Sequence, residues 1–258
     1  MTGKGGTATL LLNSLCAHGQ VNQTESLTRL MIPAGGKSAY RIAQLDDYSN
    51  LNRVIFRYHP PVSFSLQSRV SAAELPGTWG FGLWNDPFAL GLGVKGSGWR
   101  FPTLPQTAWF FYGSSKNDLS FFSEAATNGF TASVFSSRER QILFWLLAIL
   151  GIPLIPIKPA ARRMRRFAAR FIMDTSQCLQ IDPTLWHEYQ INWLPDSVDF
   201  KIDGISVQSC QISPRPPLGL VIWIDNQYAA FSADGSIGFG LEANPEPAWL
   251  EIRNVRIG

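Results

Sequence analysis

Cysteine is scarce in this chain of 258 residues. Cys16, Cys178 and Cys210 are the only three, too few and too scattered for a disulfide framework. There is no CxxC pair and no His/Cys cluster, which excludes a zinc site of the usual spacing, so no metal and no cofactor is expected. Charged residues make up 16% of the chain and the net charge is +3, which gives no electrostatic footprint for nucleic acid. GxSxG, P-loop, dinucleotide-fingerprint and HExxH patterns are all missing. A secretory leader needs roughly 7–15 consecutive apolar residues. Here the N-terminal run of Leu10, Leu11 and Leu12 stops at Asn13 and Ser14. The expectation is a reduced, cytoplasmic protein.

Apolar residues are plentiful. At 45% hydrophobic content the chain can bury a sizeable core, and disorder is excluded. The length fits one large β-sandwich. Residues 62–67 (VSFSLQ), 189–193 (YQINW) and 198–202 (VDFKI) alternate apolar with polar, as half-buried strands do. The last two are joined by a polar turn and read as a hairpin. Residues 218–224 form a near-continuous apolar strand suited to a central, doubly covered position. Alternation returns in 249–257. Frequent short strands with few helical stretches imply a two-sheet sandwich spanning 1–258.

One segment, 141–171, breaks the pattern. Residues 141–157 (QILFWLLAILGIPLIPI) carry no charge, and 158–171 (KPAARRMRRFAARF) place Met164, Phe167, Ala168 and Phe171 on one helical face among five arginines. The expectation is a helical insert, apolar and then basic. Prolines at 153 and 156 and a length of about 17 residues argue against a span, which needs roughly 20. The insert fits either an anionic membrane surface or the edge of the sandwich.

At Trp186, His187, Tyr189, Trp193, Phe200, Asp203 and Gly204 the sequence resembles the paired strands of family-sixteen glycoside hydrolases, in the concanavalin A-like lectin/glucanase superfamily. Residues 75–84 (LPGTWGFGLW) resemble that family's Gly-Thr-Trp strand, 217–223 (PLGLVIW) its groove-lining central strand, and 249–257 its closing strand. The resemblance implies a jelly-roll sandwich. It also implies a Glu-x-Asp-x-x-Glu strand, whose counterpart here, 106–113 (QTAWFFYG), has no carboxylate. Retaining hydrolysis by two carboxyls about 5–5.5 Å apart is therefore not expected.

In place of acids the groove strands offer aromatics. Trp84, Trp109, Tyr112, Trp223 and Tyr228, with Asn85 and Asn226, form the expected ligand-binding set. Alternation points Trp109 and Phe111 one way and Phe110 and Tyr112 the other. Asp86 and Asp225 each follow a Trp at a strand end. If those ends are neighbours, the two would form a carboxylate pair with one raised pKa, or act as turn residues. His187 fits the strand framework better than a general base. Two function classes follow, and the residues leave open whether the chain is an enzyme. The first binds or transforms an apolar or amphipathic small molecule by acid catalysis, with the insert at a membrane. The second is a carbohydrate-binding module or divergent glycoside hydrolase.

Overall fold

Buried and exposed residues alternate along Val62–Val70, where Val62, Phe64, Leu66, Ser68 and Val70 are buried, the signature of a strand with one face on a core. The same period organises most of the chain. The computed structural model describes residues 12–87, 103–118, 128–137, 171–231 and 237–258. In chain order the strands begin with β1 (Asn13–Ala17), β2 (Gln20–Gln23), β3 (Thr28–Ile32), β4 (Ile42–Asp46) and β5 (Val62–Val70). Then follow β6 (Thr78–Trp84), β7 (Thr107–Gly113), β8 (Gly129–Ser137), β9 (Ile172–Cys178) and β10 (His187–Trp193). The last six are β11 (Val198–Ile202), β12 (Ile205–Cys210), β13 (Gly219–Asp225), β14 (Gln227–Phe231), β15 (Ile237–Leu241) and β16 (Ala248–Ile257).

Two seven-stranded antiparallel sheets form a jelly-roll-like sandwich. Sheet A runs β1-β4-β13-β6-β7-β8-β9 and sheet B runs β12-β11-β10-β5-β16-β3-β2, while β14 and β15 make a separate hairpin. The inward residues interdigitate, as sandwich cores do. Phe110 of sheet A meets Tyr189 at 5.1 Å and Phe200 at 5.2 Å in sheet B, both edge to face. The expected hairpin forms with Tyr189 opposite Ile202 and Trp193 opposite Val198. Asp203 and Gly204 turn with φ of 50° and 79°. The apolar run around 218–224 becomes β13, buried along its whole length because Leu220, Ile222 and Ile224 enter the core while Val221 and Trp223 pack in a second, aromatic cluster on the other side.

The expected helical insert at 141–171 falls, up to residue 170, outside the described residues. Its flanks are described: Ser137 pairs with Ile172, so the chain leaves and rejoins sheet A at adjacent points on an edge. Among the described residues the one helical element is a 3-10 turn, Arg53–Ile55, and no helix is long and apolar enough to cross a membrane.

Candidate functional site

Sheet A owes the aromatic cluster on its outward side to β6. With Trp79, Phe81 and Leu83 turned into the core, alternation turns Thr78, Gly80, Gly82 and Trp84 outward. Register sets Trp223 beside Gly80 and Phe111, and Val221 beside Gly82 and Trp109. The two glycines let the rings meet. A Cβ at Gly80 would stand 2.8 Å from the Trp223 ring, and one at Gly82 would stand 2.6 Å from Cβ of Trp109. With nothing there, Trp109 and Trp223 approach to 5.3 Å between ring centroids. Trp84 lies 5.8 Å from Trp109 and 6.5 Å from Trp223, nearly parallel to the latter at 8°. Phe111 closes the group 5.2 Å from Trp109.

Hydrogen bonds orient two of the three indoles. Trp84 Nε1 donates to the Tyr48 hydroxyl at 2.6 Å, and Trp223 Nε1 donates to Thr78 Oγ1 at 2.9 Å. Trp109 Nε1 is buried and has no acceptor among the described residues. Trp84 and Trp109 keep part of their surface exposed, whereas Trp223 and Phe111 lie behind them, buried.

Polar groups border this aromatic centre on both sides. Past β7 the outward positions are Thr131 and Ser133 on β8 and Ser176 on β9, linked Thr131 to Ser133 at 3.0 Å and Ser133 to Ser176 at 2.8 Å. On β4 they are Gln44 and Asp46. Asp46 accepts from Gln44 Nε2 at 2.9 Å and from the Ser49 amide at 2.7 Å.

Asp225 sits at one end of the aromatic group. Its Oδ1 accepts from Thr78 Oγ1 at 2.8 Å, the Thr78 amide at 3.2 Å and the Gln227 amide at 3.1 Å, and its Oδ2 accepts from the Tyr40 hydroxyl at 3.3 Å. Burial pushes its pKa up to about 6 against the opposing pull of these donors. Burial, and then the Asp225 charge, push the Tyr40 hydroxyl well above its ordinary value. Thr78 therefore joins Trp223 to a buried carboxylate: it receives from the indole and donates to Asp225.

Several expected site residues are placed elsewhere. Asp86 and Asp225 are not neighbours. The C-terminal ends of neighbouring antiparallel strands point in opposite directions: Asp225 pairs with Thr78 at the start of β6, and Asp86 follows Trp84 at its end. The six steps of ~3.3 Å from Thr78 to Trp84 already put them about 20 Å apart. Asp86 is a turn residue with φ of 49°, its carbonyl accepting from Arg53 Nη2 at 2.6 Å. The amides of Asn85 and Asn226 bind backbone. Asn85 spans the Leu104 carbonyl and the Gln106 amide, and Asn226 spans the Arg41 amide and the Ala39 and Glu242 carbonyls. Tyr112 faces the core, stacked 5.4 Å from Trp79, its hydroxyl accepting from the Leu75 amide at 2.9 Å. Tyr228 stands on the separate hairpin, with Lys116 Nζ 5.7 Å from its ring centroid. His187 serves the framework, its ring nitrogens meeting Asp203 Oδ2 at 2.6 Å and the Asp182 carbonyl at 3.2 Å.

Trp84, Trp109 and Trp223 are brought together on the outward face of sheet A. The sequence reading missed Thr78 and Tyr48. Thr78 was reachable, since it shares parity with Trp84 on β6. Tyr48 lies in a loop after β4 and carries no periodic signal. Among the described residues no group of three His, Cys, Asp or Glu side chains is placed to hold a metal ion.

No protein-family model matches the sequence, and no curated protein sequence matches it. Among solved structures, the chain is similar to a legume lectin-like domain from Entamoeba histolytica, at 13% identity, covering 96% of this chain and 89% of that one with a TM-score of 0.47. It is similar to a family 16 endo-glucanase from Bacteroides ovatus, at 9% identity, 93% and 85% coverage and a TM-score of 0.49. A Bacillus licheniformis beta-glucanase matches at 12% identity, 98% and 94% coverage and a TM-score of 0.46.

Proposed function

We propose that the outward face of sheet A binds carbohydrate, without hydrolysing it by a paired-carboxylate route. The observation that carries this reading is the make-up of that face, with indole rings in its centre and hydroxyl and amide groups along both borders. A pyranose ring presents C–H groups on its faces and hydroxyls around its rim, so it matches both zones at once. A hydrocarbon ligand would match the indole rings alone and make no use of the partly exposed Gln44 and Ser176 beside them.

The acids on this face are poorly placed for hydrolysis. Asp46 and Asp225 lie four residues apart along adjacent strands, about 13 Å, and Asp174 is four strands from Asp225, about 19 Å. Both far exceed the roughly 5–5.5 Å of a retaining pair. Acid catalysis on an apolar substrate finds little support either, because protein donors already engage both oxygens of the buried Asp225.

The test is affinity electrophoresis through gels cast with neutral glucans, galactans and xylans, combined with native mass spectrometry. Retardation by at least one neutral glycan is expected, with no reducing ends released. Trp109→Ala should weaken that binding about thirtyfold, the effect of truncating a central aromatic contact, and lower the melting temperature, because the ring also packs on Trp84, Phe111 and Trp223, so binding is read well below the variant's own melting temperature. No retardation across the panel, together with a co-purifying lipid, would overturn the reading in favour of an apolar ligand. Release of reducing sugar would overturn its non-hydrolytic half.

A further inference from the structure

The outward face of sheet B carries an arrangement that sugar binding on sheet A does not use. Arginines and tryptophans alternate across it in one unbroken row. The Arg29 guanidinium lies 5.1 Å from the Trp249 ring centroid, Arg69 lies 5.5 Å from Trp249 and 5.0 Å from Trp186, and Arg253 lies 4.2 Å from Trp186. The buried Glu251 carboxylate anchors the row, accepting from Arg29 Nε at 2.8 Å and Arg69 Nε at 2.7 Å. Arg253 Nε donates to Gln67 Oε1 at 2.7 Å. The η nitrogens of Arg69 and Arg253, and one of Arg29, make no hydrogen bond among the described residues.

We propose that this row binds an acidic polysaccharide, a linear glycan whose repeating units carry carboxylate or sulfate groups. Guanidiniums stacked on indoles hold their planes fixed. Paired N–H groups are thus presented to anions with little side-chain freedom left to lose. The charge is one-sided. Along β3, β5 and β16 the face carries Arg29, Arg69, Arg253 and Arg256 against Glu251 alone. The neighbouring β10 and β11 carry Glu188, Asp199 and Asp203 with Lys201. A surface depression at the Arg253 end is lined by Gln67, Trp186, His187, Glu188, Asp203 and Gly204, and the Glu188 and Asp203 carboxylates mark where the basic strip stops.

Repetition and stacking together select the ligand. Cations recur one indole apart along a line, which matches a polymer with recurring anions better than a single small anion. Each indole already has two guanidinium partners, so the base stacking that single-stranded nucleic acids use is not on offer. What the row presents is charged edges.

The probes are heparin, polygalacturonate, neutral dextran and oligo(dT), each titrated calorimetrically against the full chain at two salt concentrations. Binding to heparin or polygalacturonate but not to dextran is expected, weakening as salt rises. Arg253→Gln should weaken it about tenfold and make the salt dependence shallower, and Arg253→Lys should fall between the two. Arg253 is exposed and donates only to Gln67 among the described residues, so the melting temperature should hold. Arg256→Gln provides a second exposed variant. Trp109→Ala should keep polyanion binding, so failure of the sugar face and failure of this proposal read out separately. Absence of binding to both acidic polymers, or binding by the Arg253→Gln and Arg256→Gln variants as tight as the parent's, would overturn the proposal. Tighter binding of oligo(dT) than of either acidic glycan would overturn it in favour of nucleic acid.

Discussion

Replacing Asp225 by asparagine is expected to raise the melting temperature at neutral pH and to remove a pH dependence that the parent protein shows. The side chain is buried among neutral donors, and no cation is bonded to it. Burial raises its pKa from 3.8 to about 6, so the folded state binds a proton more tightly than the unfolded chain. Stability therefore increases as pH falls from about 6 to about 4, and above 6 the buried charge weighs on the fold in full. A gap of about two pK units corresponds to roughly 3 kcal/mol. Asparagine removes the charge and keeps the geometry. Its carbonyl oxygen can accept from Thr78 and Gln227 as Oδ1 does now, and its amide can donate to the Tyr40 hydroxyl oxygen. Chemical denaturation of both proteins between pH 4 and pH 8 checks this. A variant less stable at pH 7, with the parent's pH profile intact, would sink it.

Glu251→Gln should do the opposite and destabilise the protein by about 3 kcal/mol at pH 7. This carboxylate is as buried as Asp225, but two guanidiniums bind it. Burial pushes its pKa up; the hydrogen bonds and charges of Arg69 and Arg29 outweigh that and hold it below the ordinary glutamate value of 4.5. The stabilisation is thus present in full above about 4.5 and is lost as pH falls through the lowered folded value. Both arginines are partly exposed, at 43% and 37% of their side chains, which places the effect at the lower end for a broken buried pair. Denaturation midpoints at pH 7 and pH 3 provide the measurement. The deficit of the variant should be large at pH 7 and shrink at pH 3, and equal stability at pH 7 would refute the assignment. The two substitutions together separate what burial does to a carboxylate from what its partners do.

Local alternation made much of the sandwich legible. The strands containing Phe64, Ile191, Phe200 and Ile252 announce themselves because each buries one face, and the doubly covered β13 reads as an apolar run for the reason it is buried. Parity along β7 also separated Trp109 and Phe111 from Phe110 and Tyr112, yet Tyr112 was still assigned to the ligand because its chemistry suited one. What alternation does not encode is which strand ends meet. Asp86 and Asp225 looked alike because each follows a Trp, and only the antiparallel pairing of β6 with β13 sends them to opposite edges. Asn85 and Asn226 looked available because no local pattern reveals a distant carbonyl. The Arg–Trp row escaped notice for the same reason, its five members being drawn from positions 29 to 253.

The strand order also says something about synthesis. β3 and β4 are made early, yet each is joined to the rest of its sheet only by a late strand: β13 bridges β4 to β6, and β16 bridges β3 to β5. While the nascent chain lengthens, its first strands have no permanent neighbour in the body of the fold. Their unpaired edges must wait until those later strands are made, a hazard for association between chains. β16, made well after the two strands it joins, acts as the zip of sheet B. Pairings so distant in sequence also predict slow closure once it arrives.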